Sequence, residues 1–180
     1  MGNKAERILD SLKIEVSQEV SKEILSRCGE VATDASVTKQ SKWVKSFIDN
    51  ADLLIDENTR IKIMENCGKQ CISKSTINKA IRAKKDSKDL DEFLSKLNEL
   101  HIGGGCLKRE GNLIYGFYKK CYCGLVNKNM GKMSSTYCNC SRGWYQQLFE
   151  SVFEKSVRVE LEDSIMQGAD ECSFKIHIDE

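Results

Sequence analysis

The chain has 180 residues and a mass of 20.4 kDa, enough for one domain with a real core or for a helical unit joined to a second one. Its 28 basic and 27 acidic side chains leave a net charge of +1, which argues against a bulk nucleic-acid binder or an acidic tail. It has no proline and nine cysteines: Pro-rich linkers are excluded, and an odd number of thiols cannot all pair within one chain.

The N-terminus, Met1-Gly2-Asn3-Lys4-Ala5-Glu6-Arg7, is polar and runs straight into an amphipathic pattern, with no apolar signal core. No stretch approaches the roughly eighteen apolar residues of a membrane span. A cytosolic location is therefore expected, where thiols stay reduced and clustered cysteines hold metal or do chemistry more often than they form bridges.

Taken in order, the first hundred residues read as helices. Ile8, Leu9 and Leu12 form a short apolar stripe, and Val20, Ile24 and Leu25 continue one until Gly29. Trp43, Val44, Phe47 and Ile48 mark a further helix whose face Leu54 and Ile55 extend. Ile61, Ile63 and Met64 lie in a segment that starts after Asp56 and is expected to stop at Gly68. Ser75 or Thr76 is expected to cap a short helix through Ile81, and Ser87 and Asp89 precede one carrying Leu90, Phe93, Leu94, Leu97 and Leu100.

Gly103-Gly104-Gly105 changes the character of the chain. Leu107 to Arg109 and Leu113 to Tyr122, around a Gly111-Asn112 turn, predict a hairpin. Trp144, Tyr145, Leu148, Phe149, Val152 and Phe153 make the stripe of a helix that packs on a sheet. Val157, Val159 and Leu161, then Phe174, Ile176 and Ile178, alternate with polar residues and predict two half-buried strands around a Gln167 to Asp170 turn. The expected fold class is α+β: an N-terminal helical region, 1–102, followed by a β-β-α-β-β antiparallel module, 103–180.

The segment from Gly111 to Phe149 is anomalous. It has no Asp or Glu and a charge of +5 over 39 residues, from Lys119, Lys120, Lys128, Lys132 and Arg142; about six acids would be expected there from the chain average. It also holds eight of the thirteen aromatics and four of the nine cysteines, as Cys121-Tyr-Cys123 and Cys138-Asn-Cys140. Three coincident anomalies locate the candidate site.

Residues i and i+2 of a strand share a face, so Cys121 and Cys123 are expected on the side of Tyr115 and Phe117, with the loop returning Cys138 and Cys140 to them. Four convergent thiolates suit tetrahedral zinc or, alternatively, an iron-sulfur cluster; zinc is the commoner structural ion. The C-x-C spacing departs from the usual C-x₂₋₄-C of zinc sites, and buried or reactive reduced thiols are the competing reading. Cys67-Gly-Lys-Gln-Cys71 supplies further candidate thiols: partners in a larger cluster, a redox couple, or two partly buried cysteines at a helix end. Cys28, Cys106 and Cys172 read as structural, with Cys106 open as a nucleophile and Cys172 as an extra ligand. His101 and His177 are too isolated to make a Cys-His pair. Tyr115, Phe117, Lys119, Arg142 and Trp144 are the candidate ligand-binding side chains, and their chemistry favours an anionic ligand. Basic and aromatic residues could also stack single-stranded nucleic acid, a reading the neutral overall charge disfavours.

Cys140-Ser-Arg-Gly-Trp144, the helix to Phe153, the strand from Val157 to Leu161, and Gly168-Ala-Asp170-Glu-Cys172-Ser-Phe174 together resemble the end of the 4-vinyl-reductase-like domain. Gly168, Cys172 and Phe174 match that family's ending, while Ser164 stands where the family often has a Cys and Ala169 separates Gly168 from Asp170. As a whole the chain is similar to uncharacterised prokaryotic proteins that prefix this module with helices, and more distantly to thiazoline-carboxylate hydrolases. The resemblance implies an α+β ligand-binding module, a sensor or small-molecule-binding accessory, in some members with a Cys-bound metal.

The expected function is thus a cytosolic small-molecule-binding or sensor protein with a metal on Cys121, Cys123, Cys138 and Cys140, its N-terminal helices serving as a lid or a homodimer surface. A cysteine-dependent hydrolase of a small heterocycle or amide, with its nucleophile near Lys119, Lys120 or Arg142, and a thiol redox protein are the alternatives. No general base is apparent, and catalysis is left open.

Overall fold

The structure, a computed structural model, describes residues 3–32, 34–126 and 133–178. Six helices come first: α1 (Lys4–Glu15), α2 (Gln18–Cys28), α3 (Val37–Leu54), α4 (Glu57–Lys69), α5 (Lys74–Lys85) and α6 (Leu90–Glu99). Each opens on a short polar side chain that accepts a hydrogen bond from an otherwise unpaired backbone N–H of the first turn: Asn3, Ser17, Ser36, Asp56, Ser73 and Asp89. At Asn3 the bond is reciprocal, because the Glu6 side chain accepts from the Asn3 N–H.

The second half is the expected α+β layer. Strands β1 (Leu107–Glu110) and β2 (Leu113–Tyr118) form the hairpin, α7 (Asn139–Phe153) follows, and β3 (Val157–Asp163) and β4 (Cys172–Ile178) complete an antiparallel sheet of order β1-β2-β4-β3. The register stacks Ile114 opposite Ile176 and Ile176 opposite Val159, so one face of the sheet is apolar under α7.

Two groups of buried side chains hold these elements. Ile8, Leu12, Ile24, Val44, Phe47, Ile48 and Met64 pack the first, joined by Leu125, Met133 and Tyr137 from the segment before α7. The second gathers Phe93 and Leu97 of α6 with Tyr145, Phe149, Val159, Phe174 and Ile176, so α5 and α6 share the core of the sheet. Among the described residues no helix is long and apolar enough to cross a membrane.

Four boundaries differ from the sequence reading, and each matters to the site. β2 ends at Tyr118 rather than Tyr122, so Cys121 and Cys123 lie beyond the strand. α4 continues through Gly68 to Lys69, because a helical glycine is only a weak stop and here its backbone is held against another helix. α5 is capped by Ser73, two residues before the expected start. α7 begins at Asn139, well before the Trp144 stripe, and this places Cys140 in its first turn.

Candidate functional site

The site is built on the crossing of α4 and α7. Gly68 faces the Cys140 carbonyl so closely that a Cβ on it would lie 2.0 Å from that oxygen, and one on Gly143 would lie 1.9 Å from the Glu65 carbonyl oxygen. Two glycines therefore let the helix backbones touch, and ion pairs tie them across the contact: Arg142 with Glu65 at 3.0 Å and Lys69 with Glu150 at 3.1 Å. Arg142 also donates to the Val159 carbonyl at 3.0 Å and to Asn139 Oδ1 at 3.1 Å.

This crossing brings three thiols together. Cys67 near the end of α4, Cys71 just past it and Cys140 in α7 have Sγ atoms that all lie within 4.8 Å of one another. Cys67 is fully buried. Two cations from the first turn of α1 cover the group. Lys4 Nζ lies 2.6 Å from Cys140 Sγ and 3.4 Å from Cys71 Sγ, and an Arg7 guanidinium nitrogen is 3.0 Å from Cys71 Sγ. Lys4 also stands over the Tyr137 ring, 5.3 Å from its centre.

The three thiols do not titrate alike. Hydrogen bonds from Cys140 and Cys67, reinforced by Lys4 and Arg7, hold Cys71 far below the usual thiol range despite its burial. Cys67 is driven well above that range by its hydrogen bonds to Cys140 and Cys71 and by burial. Cys140 is pushed up to about 11: its contact with Cys67 acts downward, but the bond to Cys71 and burial outweigh it. Burial works against the Lys4 ammonium, yet the thiols of Cys140 and Cys67 lift its pKa well above 10.5. These directions make Cys71 the thiol of the three that ionises most readily, with two thiols and two cations around it.

Beside the triad is a cavity of about 500 Å³. Its described lining includes Cys71, Cys121, Cys123, Cys138, Cys140 and Cys172, with Tyr118, Tyr122, Tyr137, Trp144 and Phe174 as the aromatic walls and Lys4 and Lys79 as cations; no Asp or Glu is among them. The thiols outside the triad have their own partners. Cys123 Sγ is 2.8 Å from the Tyr137 hydroxyl, Cys138 Sγ is 2.9 Å from the Ser164 hydroxyl, and the Ile165 N–H donates to Cys172 Sγ at 3.4 Å. Burial pushes Cys138 up to about 11 and raises Cys121 as well.

The sequence-predicted residues are distributed as follows. Cys121, Cys123, Cys138 and Cys140 all line the cavity, but among the described residues the metal-type side chains that close within 4.8 Å are Cys67, Cys71 and Cys140. Trp144 lines the cavity, whereas Arg142 is spent on joining α4, α7 and β3. Tyr115 and Phe117 are half-buried off the cavity, Phe117 beneath Lys108 at 4.9 Å, and Lys119 is exposed. Lys128 and Lys132 lie outside the described residues. Sequence reasoning missed Lys4, Arg7 and Lys79, and among the strand aromatics it chose Tyr115 and Phe117 over Tyr118, the one that lines the cavity. Tyr118 shares the parity of Ile114 and Gly116, the apolar side of β2 that faces α7, and that alternation was the available signal. The cations beside Cys71, the thiol with the lowered pKa, are Lys4 and Arg7, not Lys119, Lys120 or Arg142.

In metal-free, reduced protein Cys71 is expected to be the first thiol alkylated by iodoacetamide. Because its pKa is depressed, its rate should stay flat between pH 6 and 8, whereas a thiol at about 11 such as Cys138 should react about tenfold faster for each pH unit gained. Peptide mapping of the modified protein reads both slopes, and a Cys71 rate that climbs with pH would contradict the lowered pKa of Cys71.

The chain belongs to a family of unknown function, DUF6144, whose model matches residues 3–180. No curated protein matches it in sequence. Among solved structures, it is similar to an H-NOX protein from S. oneidensis in the Fe(II)NO ligation state, at 13% identity and a TM-score of 0.50 over 98% of both chains. It is also similar to the phenol-responsive sensory domain of the transcription activator PoxR with phenol, at 15% identity and a TM-score of 0.48, over 89% of this chain and 90% of that one. At 13% identity the likeness to the H-NOX protein concerns the fold alone.

Proposed function

We propose that this member of the family is a small-molecule-binding sensor module whose ligand is a small anion with a flat apolar body, held beside a cysteine-ligated metal. The observation that carries this reading is the lining of the cavity: about 500 Å³, aromatic on several sides, with Lys4 and Lys79 and no carboxylate among its described residues. Aromatic walls take a flat body by area burial, and a cation in an acid-free pocket favours an anionic head. Lys4 is committed to the thiols, so Lys79 with Thr76 is the pair available to the head group.

The 4-vinyl-reductase-like reading of the C-terminal segment belongs to the same proposal. α7, β3, the turn after Ser164 and β4 follow one another as in that module's ending, and Cys172 and Phe174 both line the cavity. A reducing compartment such as the cytosol suits the free thiols, and the N-terminal helices remain the candidate homodimer surface. A hydrolase is the weaker reading because the described partners of Cys71 are two cations and two thiols, with no general base among them.

Tryptophan fluorescence tests the reading. Trp144 lines the cavity while Trp43 is buried elsewhere, bonded to the Gly29 carbonyl. Small aromatic carboxylates such as benzoate and 2-aminobenzoate should quench emission saturably, and benzyl alcohol should do so more weakly. Lys79→Met should weaken carboxylate binding about tenfold, and Phe117→Leu, off the cavity, should leave it unchanged. If no carboxylate of such a panel saturates the signal, the anion-sensor reading fails.

A further inference from the structure

We propose that Cys67, Cys71 and Cys140 bind one zinc-type ion whose fourth coordination position opens into the cavity, so that the ligand is held by the metal as well as by the walls. The position of the ligand rests on the sensor reading above; the metal site itself does not.

The distances select a single ion. Zn–S bonds of about 2.3 Å in a tetrahedron place sulfurs about 3.8 Å apart. The three Sγ atoms already lie within 4.8 Å of one another, so closure onto an ion needs each pair to approach by no more than about 1 Å, within reach of small side-chain rotations. A cubane cluster carries each thiolate on a different iron and needs sulfurs farther apart than one ion does. Zinc is therefore favoured over iron-sulfur at this position.

The count of ligands leaves the fourth position open. Cys123 and Cys138 are tied to Tyr137 and Ser164 on other walls of the cavity, and among the described residues no further metal-type side chain closes on the triad. Three protein ligands with one open position is the arrangement of zinc sites that bind a substrate or water, whereas structural sites are closed by four. Cys71 and Cys140 both line the cavity, and Cys67 is buried behind them. The open side therefore faces the aromatic walls and Lys79.

Charge points the same way. Three thiolates on a divalent ion carry −1 in a buried setting, and Lys4, itself 9% exposed, stands within hydrogen-bond reach of the Cys140 and Cys71 sulfurs, with Arg7 as a second cation on Cys71. An ammonium buried in the first turn of a helix opposes the helix dipole, so its place there calls for a negative centre, and a metal–thiolate unit supplies it. Donors to coordinated sulfur are the outer-shell partners such a site needs.

The test is cobalt substitution of the reduced, full-length protein without oxygen. Titration with Co²⁺ should saturate at one equivalent, with the visible bands of a tetrahedral ion and near-ultraviolet sulfur-to-metal charge transfer. Cys67→Ser, Cys71→Ser and Cys140→Ser should each weaken binding by at least about 100-fold, while Cys123→Ser and Cys138→Ser should keep it; circular dichroism confirms that each variant is folded. Cyanide added to the cobalt protein should shift the visible bands at one equivalent, since only an open position accepts it. Loss of the bands in Cys123→Ser or Cys138→Ser would overturn the triad, and a spectrum indifferent to cyanide would overturn the open position. Cobalt binding at the triad with no carboxylate quenching Trp144 would leave the metal site standing and remove the sensor reading.

Discussion

Gly143→Ala should destabilise the protein by about 3 kcal/mol or more and lower its melting temperature by about 10 °C, as backbone overpacking does at a site that cannot yield. The added methyl would sit 1.9 Å from the Glu65 carbonyl oxygen and 2.7 Å from the Glu65 Cα, atoms fixed by the α4 helix rather than the tip of a flexible side chain. The helices must separate, and the separation acts on the thiols. Cys67 and Cys71 ride on the end of α4 while Cys140 rides on α7, so a shift of about 1 Å at the crossing is as large as the approach that metal closure requires. Gly143→Ala should therefore lose metal as well as stability. Gly68→Ala, whose methyl would meet the Cys140 carbonyl oxygen at 2.0 Å, should behave alike. Gly124→Ala is the control: a Cβ there has nothing within 4 Å, and little change is expected. Thermal melts with stoichiometric zinc analysis read both effects. A Gly143→Ala protein that melts like the parent and keeps its metal would show that the crossing is not what assembles the triad.

The same crossing explains which parts of the molecule were legible in sequence. The helices were readable because caps and apolar period are local: Asp56 before α4 and Asp89 before α6 bind backbone N–H groups three residues away, and Phe93, Leu94 and Leu97 announce one buried face. β3 and β4 were readable by the alternation of apolar and polar residues, and the β1–β2 hairpin by the Gly111-Asn112 turn between β-rich segments. The cavity was located by composition, because an acid-free, aromatic, cysteine-bearing segment does line it. The grouping of thiols was not. Pairing Cys121 with Cys123 assumed a strand that ends at Tyr118 instead, and Gly68 was read as a stop because a glycine in sequence does not say whether a second backbone lies against it. Cys67, Cys71 and Cys140 meet only through that contact, across about seventy residues of chain, and no local rule reaches so far. Lys4 is the same case: at the start of a helix it reads as an exposed charge, and only tertiary packing buries it on the thiols.

Lys4→Met separates metal binding from folding, and the two should move differently. With metal bound, the buried unit carries −1 and Lys4 is its nearest cation, 2.6 Å from Cys140 Sγ. Removing that donor should weaken zinc affinity by about 10- to 100-fold, the usual cost of losing an outer-shell partner. Without metal, the consequence is smaller. Cys71 keeps Arg7 at 3.0 Å and can take up a proton once its stronger cation is gone, so no uncompensated charge is left buried. Methionine has nearly the volume of the lysine stem and needs no counter-charge, and exchanging a buried ion-pair member for an apolar side chain is often neutral when the partner can neutralise itself. The metal-free melting temperature should accordingly stay within about 3 °C of the parent, while the extra stability that zinc confers falls by the lost affinity. The Cys71 alkylation rate at pH 6 should fall in the same variant, because the thiol has lost the cation that lowers its pKa more, Arg7 being the one that remains. Competition with a chromophoric chelator gives the affinity, and melts with and without zinc give the stability. A Lys4→Met protein that binds zinc as tightly as the parent would mean that the ammonium serves only the metal-free thiolate, and a metal-free form that unfolds would mean that Lys4 holds α1 in place rather than tuning the centre.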